Sequence, residues 1–394
     1  MVNKEITWLV TGASTLFIVG TDVFIVSPIL PSIAAEFDVS PSLAGWLVAV
    51  MAIMYACGSP LMGALFDRLQ ERRGLILWSG LTGLSLANLW TGSTSSFEML
   101  LISRALAGLS LAAIAPCVYA FISDLAPVHR RAAWLSVIVS GNLTGLWAGT
   151  PLGTLLAEGW GWRSPFWLIA ALSFFLAWVN LFIWPKQIRS TPLPVGIAPA
   201  PTSLMLRSML VTVFWATAMY AVYTYLGTAL TEDSQLTSSQ LASSLIAYGL
   251  GAMLGSLNGG RMADRWGAKN VSSASLLGLV VLLGAVGLFY QYAGWLYLLL
   301  FAWAFGGYAF VPAYQSRLSV EYPHHLGLIM AWNITGMYIG MTLGAYLGGP
   351  IYQLAGFSKL AYLSAAVALV ASLCSLRPAP QKKEAARAAP NHFS

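Results

Sequence analysis

Long apolar stretches alternate with short polar connections along this chain, at a spacing that matches a bilayer crossing. A spanning helix needs about 20 mostly apolar residues. Twelve stretches meet that length, near 7–33, 43–65, 74–94, 99–122, 133–157, 164–184, 208–230, 240–260, 271–292, 295–315, 327–351 and 359–377. The connections hold nearly all the charge. One of them differs from the rest: residues 185–207 contain Pro185, Pro192, Pro194, Pro199 and Pro201, the composition of an extended linker. The pattern therefore predicts six helices over 1–185, a cytoplasmic linker over 186–206, six helices over 207–378 and a polar, basic tail over 379–394 that stays disordered.

Composition fixes the solvent. The chain has 394 residues, 58% of them hydrophobic and 9% charged, with a mean hydropathy of +0.72. Soluble domains have about 25% charged residues, so an exterior this apolar needs lipid around it. A net charge of +6 raises the question of nucleic acid, but the basic residues are spread over short loops rather than gathered in one patch. No nucleic-acid partner is expected. Membrane orientation accounts for them instead. With both termini on one side, that side collects seventeen of the twenty Lys and Arg, leaving Arg163 and Lys359 opposite and Arg104 inside a helix. The termini are thus expected in the cytoplasm and the protein in the cytoplasmic membrane, with an even number of crossings. The first apolar stretch is too long for a cleaved signal peptide and reads as a retained anchor. Cys57, Cys117 and Cys374 are isolated thiols without metal or disulfide spacing.

The two halves repeat each other. Asn142-Leu-Thr-Gly145-Leu-Trp-Ala-Gly149-Thr-Pro-Leu-Gly153 aligns with Asn333-Ile-Thr-Gly336-Met-Tyr-Ile-Gly340-Met-Thr-Leu-Gly344 at an offset of 191. Gly63-x-x-x-Asp67-Arg68 aligns with Gly260-x-x-x-Asp264-Arg265 at an offset of 197. Two matches at nearly one offset indicate a duplicated half, the construction of many transporters. In these glycine runs, Gly141, Gly145, Gly149 and Gly153, then Gly336, Gly340, Gly344 and Gly348, recur every four residues. That spacing sets a smooth stripe on one helix face, where a neighbour approaches closely. The glycines read as architecture rather than as ligands. The Asp-Arg clusters sit at helix ends, where they are placed to latch the halves in one state and release them in another.

Asp22 is the carboxylate lying well inside a predicted helix; the other acids fall in loops or at helix ends. A charge at mid-membrane costs about 2.5–3.5 kcal/mol on insertion scales and marks a pathway or proton relay. Burial disfavours its charged form and a nearby cation favours it, a balance that lets a carboxyl exchange a proton for a cationic solute. Arg104 is its expected partner. At 1.5 Å per residue Asp22 lies roughly 16 Å, and Arg104 roughly 8 Å, from the outer ends of their helices. Aromatic residues abundant enough to form interfacial belts also offer deeper candidates for a cavity wall. These are Tyr55, Tyr220, Tyr223, Trp303, Tyr308 and Tyr338, together with Asn142 and Asn333. A cavity of that kind suits lipophilic cations through cation–π contact.

Together these stretches resemble the twelve-helix drug:proton antiporter branch of the major facilitator superfamily, over residues of about 7–377. The loops around Asp67 and Asp264 resemble that family's motif A, although Gln70 and Glu71 replace its usual Gly and basic residue. Leu100-x-x-x-Arg104-x-x-x-Gly108 resembles motif B. Gly145-x-x-x-Gly149-x-Pro151-x-Gly153 resembles motif C, with Gly149-Thr150-Pro151 in place of Gly-Pro. Thr21-Asp22 with Leu30-Pro31-x-Ile33-Ala34, and Gly161-Trp162-Arg163-x-x-Phe166, are also similar to family segments. The resemblance implies an all-α membrane protein of two pseudo-symmetric six-helix bundles around a central cavity, working as a monomer. It implies export of a small amphipathic molecule driven by inward proton flow. Asp22 would carry the proton and Arg104 would tune it. Gly63, Asp67, Arg68, Gly260, Asp264 and Arg265 would gate the cytoplasmic side. A sugar, nucleoside or other metabolite exporter of the same fold, or a lipid translocator, is the alternative. No enzyme is expected: the four histidines fall in loops or the tail, and no phosphate loop, metal-ligand cluster or nucleophile appears. No cofactor or metal is called for.

Overall fold

The computed structural model describes residues 2–68, 72–127, 130–184, 202–321 and 326–376. The tail 379–394 and most of the linker, 186–201, lie outside the described residues, as do the side chains of Gly63, Asp67 and Arg68. Among the described residues the chain is helical, without strands.

Twelve long helices follow in order. Helix α1 is Val2–Glu36; a single helical turn, Pro41–Ala44, leads into α2, Trp46–Arg68. Helices α3, Arg73–Ser93, and α4, Phe97–Leu125, come next. Helix α5 is built of Arg131–Thr144, a π-helical turn Gly145–Gly149 and Thr150–Trp160. Helix α6 is Ser164–Ile183. Helix α7 is Thr202–Thr228, extended by a second π-helical turn, Ala229–Asp233. Then come α8, Ser238–Trp266, α9, Ala268–Phe289, and α10, Ala293–Glu321. The last helical run, Leu326–Leu376, breaks at Gly356 (φ 79°, ψ 172°) into α11 and α12. That backbone conformation is strained for any residue with a Cβ. The helix pair therefore turns on one glycine where a loop over 352–358 is expected from the sequence. Helix α7 likewise starts at Thr202, so linker positions 202–206 are helical.

Starts and stops follow ordinary capping chemistry. Ser96 Oγ accepts from the Met99 amide at 3.3 Å, and Thr237 forms a reciprocal capping box with Gln240. By length and apolarity nine described stretches are able to cross a membrane, the last of them, Trp332–Leu376, running through both α11 and α12. Helices α3 and α5 complete the twelve.

Packing repeats with the period of six helices seen in the sequence. Helix α5 lies on α1 as α11 lies on α7; α2 lies on α4 as α8 lies on α10; α3 pairs with α6 as α9 pairs with the α11–α12 unit. The glycine stripes occupy the first of these seams. A side chain at Gly145 or Gly149 would meet the α1 backbone or Thr21, and one at Gly153 would meet Ile25. On the other side Gly336, Gly340 and Gly344 face Met209, Val213, Ala216 and Thr217 of α7. Pro151 is buried in the same part of α5. The two bundles then meet along α1–α7, α2–α11 and α5–α8.

Candidate functional site

The first bundle holds one ion pair at membrane depth among the described residues. Arg104, from α4, donates from Nη1 to Asp22 Oδ1 at 3.0 Å and from Nη2 to Oδ2 at 3.1 Å. The same Nη2 reaches the Asp22 carbonyl at 3.3 Å and the Met51 sulfur at 2.8 Å. The guanidinium stands 5.6 Å from the centre of the Phe166 ring, a cation–π distance. Asp22 is 0% exposed and Arg104 1%. Gly108, one helical turn beyond Arg104, brings α4 against the Met51 carbonyl of α2; a Cβ there would overlap that backbone. Helix α2 is thereby close enough for Met51 to reach the guanidinium, whose Nε has no acceptor among the described residues. Four helices, α1, α2, α4 and α6, enclose the pair.

This placement refines the expectation for Asp22. Its carboxylate points into the core of its own bundle rather than into open space between bundles. Helix geometry puts Phe24, two residues on, about 200° round the helix. Phe24 faces the other bundle, 6.3 Å from Tyr220 and 5.6 Å from Tyr223, centre to centre. Helix α1 thus carries the charge on one face and the inter-bundle contact on the other.

The second bundle presents tyrosines instead of charge. Tyr248 of α8 is the hub, 5.0 Å from Tyr223, 4.8 Å from Trp303 and 6.3 Å from Tyr308. Tyr308 also meets Trp215 edge-on at 6.1 Å. The Tyr220 hydroxyl lies near that of Tyr308, and the Tyr223 hydroxyl near Thr150 of α5. The structure therefore brings Tyr220, Tyr223, Trp303 and Tyr308 into one cluster. Their rings pack on each other: each is buried, Trp303 fully. Tyr55 and Tyr338 stack separately across the α2–α11 seam with ring centres 3.6 Å apart. Asn333 departs from the expected cavity wall. Its amide accepts from Thr212 of α7 and donates to the Ile329 carbonyl, which fastens α11 to α7. Asn142 is half-buried, with its backbone carbonyl against Gly20 of α1.

Among the described residues, hydrogen bonds between the bundles gather in the half of the molecule away from the termini. Ser27 Oγ donates to the Tyr223 carbonyl and, at 3.1 Å, to that of Thr224. Tyr223 donates its hydroxyl to the Phe24 carbonyl at 3.3 Å, and Thr342 to the Ala49 carbonyl at 3.5 Å. Trp46 and Tyr346 meet edge-on at 4.8 Å near the same end. The other ion pairs, Arg73–Asp124, Arg130–Glu5, Arg163–Glu36 and Arg317–Glu321, each stay within one bundle at helix ends. Asp264 and Arg265 are exposed at the end of α8 without an ion pair to a described residue, and Gly260 lies beside Pro312 of α10. The side chains of Asp67 and Arg68, the other half of the expected latch, lie outside the described residues.

Sequence reasoning missed several participants. Tyr248, Phe24 and Met51 are unexceptional apolar positions in apolar helices, and no periodicity singles them out; Phe166 stands in the Gly161-Trp162-Arg163-x-x-Phe166 segment, but nothing there announces its contact with Arg104. Glu36 had a signal: it accepts from both Trp162 and Arg163 at 2.6 Å, which gives the Gly-Trp-Arg segment a purpose in tying α1 to the α5–α6 turn.

Two pseudo-symmetric helical bundles with a mid-membrane ion pair in one and an aromatic cluster at their seam define a multi-pass membrane transporter. The Major Facilitator Superfamily model matches residues 12–230 and again 208–393, and the chain belongs to that family. It is 30% identical over 350 residues to YceJ, an MFS-type transporter of Bacillus subtilis (strain 168), covering 86% of this chain and 88% of YceJ. It is 29% identical over 268 residues to a chloramphenicol resistance protein of Streptomyces lividans, covering 66% of this chain and 68% of the relative. Among solved structures, a bacterial homologue of the human lysosomal transporter Spinster superposes with a TM-score of 0.73 at 16% identity, over 94% of this chain and 96% of that one.

Proposed function

We propose that this transporter exports small amphipathic molecules in exchange for protons, with Asp22 as the proton acceptor and Arg104 as its counter-charge. The observation that carries the proposal is the sealed Asp22–Arg104 pair on a helix whose opposite face holds Phe24 against Tyr220 and Tyr223. A proton taken by Asp22 neutralises the carboxylate and ends its charge pairing with Arg104. Helix α1 is then free to shift, and Phe24 moves with it against α7. Proton binding and bundle movement are coupled through one rigid element, which is what alternating access requires.

The positive-inside distribution supports a cytoplasmic position for both termini. The bonded half is then the outer one, and the molecule stands closed outward. Motif A residues on the two halves engage when the molecule opens outward. Its bacterial relatives support a location in the cell membrane. The chloramphenicol resistance relative and a multidrug resistance protein of Bacillus subtilis, 29% identical over 187 residues, support drugs or other toxic organic compounds as cargo. Cargo contacts fall to Tyr220, Tyr223, Trp303 and Tyr308 from one bundle and to Phe24, Tyr55 and Asn142 from the other.

The test is resistance profiling in a strain stripped of its own efflux pumps. Expression of the protein raises tolerance to chloramphenicol and dyes, and Asp22→Asn abolishes the gain at equal membrane abundance. Full resistance with Asp22→Asn contradicts the proton role. Resistance to none of the compounds, with export of a sugar or nucleoside instead, contradicts the cargo assignment.

A further inference from the structure

The proposed function leaves the chemistry of the cargo open, and the aromatic cluster narrows it. Among the described residues the Trp303 indole N–H has no hydrogen-bond acceptor, although the side chain is fully buried. Its ring lies 4.8 Å from Tyr248. From the other bundle, Trp147 sets its backbone against Gly249, the next residue after Tyr248, and its indole N–H is also without an acceptor. Leaving a donor unpaired in apolar surroundings is costly, and indole nitrogen donates but never accepts. One such donor, Trp303, lies against Tyr248 itself, and the other, Trp147, sits on the helix whose backbone meets the next residue along.

Charge points the same way. Among the described residues no carboxylate is in contact with this cluster: Asp22 faces away and both its oxygens are held by Arg104. A permanent cation would find aromatic faces but no counter-charge. We infer that the Tyr248–Trp303 region takes neutral aromatic molecules bearing a hydrogen-bond acceptor, such as a nitro or carboxamide oxygen, which receives the Trp303 N–H, in preference to lipophilic cations. This rests on the reading of the cluster as the cargo surface, and it departs from the cation preference expected from aromatic content alone.

Equilibrium binding in nanodiscs by calorimetry tests the inference without any need for proton coupling. The probes are 4-nitrobenzamide, neutral and acceptor-bearing, and tetraphenylphosphonium, a lipophilic cation. Trp303→Phe keeps a ring and removes the donor. The expected result is nitrobenzamide affinity about threefold to tenfold weaker in Trp303→Phe, the loss of one neutral hydrogen bond, with tetraphenylphosphonium binding unchanged. Equal weakening for both probes, or none for nitrobenzamide, overturns it. Where Trp303→Phe fails to fold, the wild-type protein decides: nitrobenzamide binding at least tenfold tighter than 4-nitrobenzylammonium supports the inference, and the reverse order overturns it. Proteoliposome transport of nitrobenzamide is read separately. Selective binding without proton-driven transport counts against the exchange mechanism and leaves the chemical preference standing.

Discussion

The two bundles share a scaffold and divide the chemistry. In the first, α5 packs its glycines on α1, and a buried Arg–Asp pair sits among α1, α2, α4 and α6. In the second, α11 packs its glycines on α7 in the same way, but aromatic rings and hydroxyls fill the corresponding interior around Tyr248. Duplication conserved the helix seams, where the constraint is backbone approach and only small residues fit. It did not conserve the polar interior, where one half is charged and the other neutral. A transporter gains from this division. A charge that changes with protonation does least damage when shielded from the cargo, and a cargo surface discriminates best when its own polarity is constant.

Removing the charge from the first bundle is the most severe way to break the comparison. Arg104→Ala leaves Asp22 buried and unpaired, an error that costs about 3–5 kcal/mol, so both thermal stability and transport are expected to fall sharply. Asp22→Asn keeps the side chain's shape and is expected to reduce proton-driven uptake into inverted vesicles by at least ~100-fold, roughly 2.7 kcal/mol at 1.36 kcal/mol per decade. Tyr248→Phe, an uncharged change in the second bundle, is expected to leave proton coupling intact and alter only apparent affinity.

Packing at the seams comes next. Gly108→Val forces a side chain into the Met51 carbonyl, and overpacking of that kind costs about 1–3 kcal/mol. Thermal denaturation of purified protein measures it. Gly278, which has open space around it, serves as the comparison: Gly278→Val is expected to be nearly neutral.

The smallest expected effect belongs to the bonded half of the interface. Ser27→Ala removes hydrogen bonds to Tyr223 and Thr224, worth about 1 kcal/mol or some fivefold in the equilibrium between states. Spin labels at Asp38 and Gln235, both exposed at that end, are expected to show a larger population at long distance. An unchanged distance distribution contradicts the assignment of Ser27 to the seal.

Much of this was legible in the chain. Asp22 and Arg104 stand out because charge is rare inside apolar helices, and their motif spacing placed them on helices that pack. The glycine seams were legible because a four-residue period survives duplication. The Tyr248 hub was not: in helices that are apolar on every side, no face announces itself, and which ring meets which depends on how the bundles dock. Asn333 misled for a related reason. A polar residue in a membrane helix serves equally well for cargo or for a neighbouring helix, and only the position of Thr212 decides between them. The turn at Gly356 escaped because nothing in its local sequence distinguishes a positive-φ break from the many glycines that lie in helices.

The exchange of proton for cargo is tested most directly in proteoliposomes loaded with a pH-reporting dye. On adding chloramphenicol to one side without an imposed gradient, the account predicts an opposing proton movement with the wild-type protein and none with Asp22→Asn. Cargo movement without a pH change in the wild type, or a normal pH change in Asp22→Asn, contradicts it.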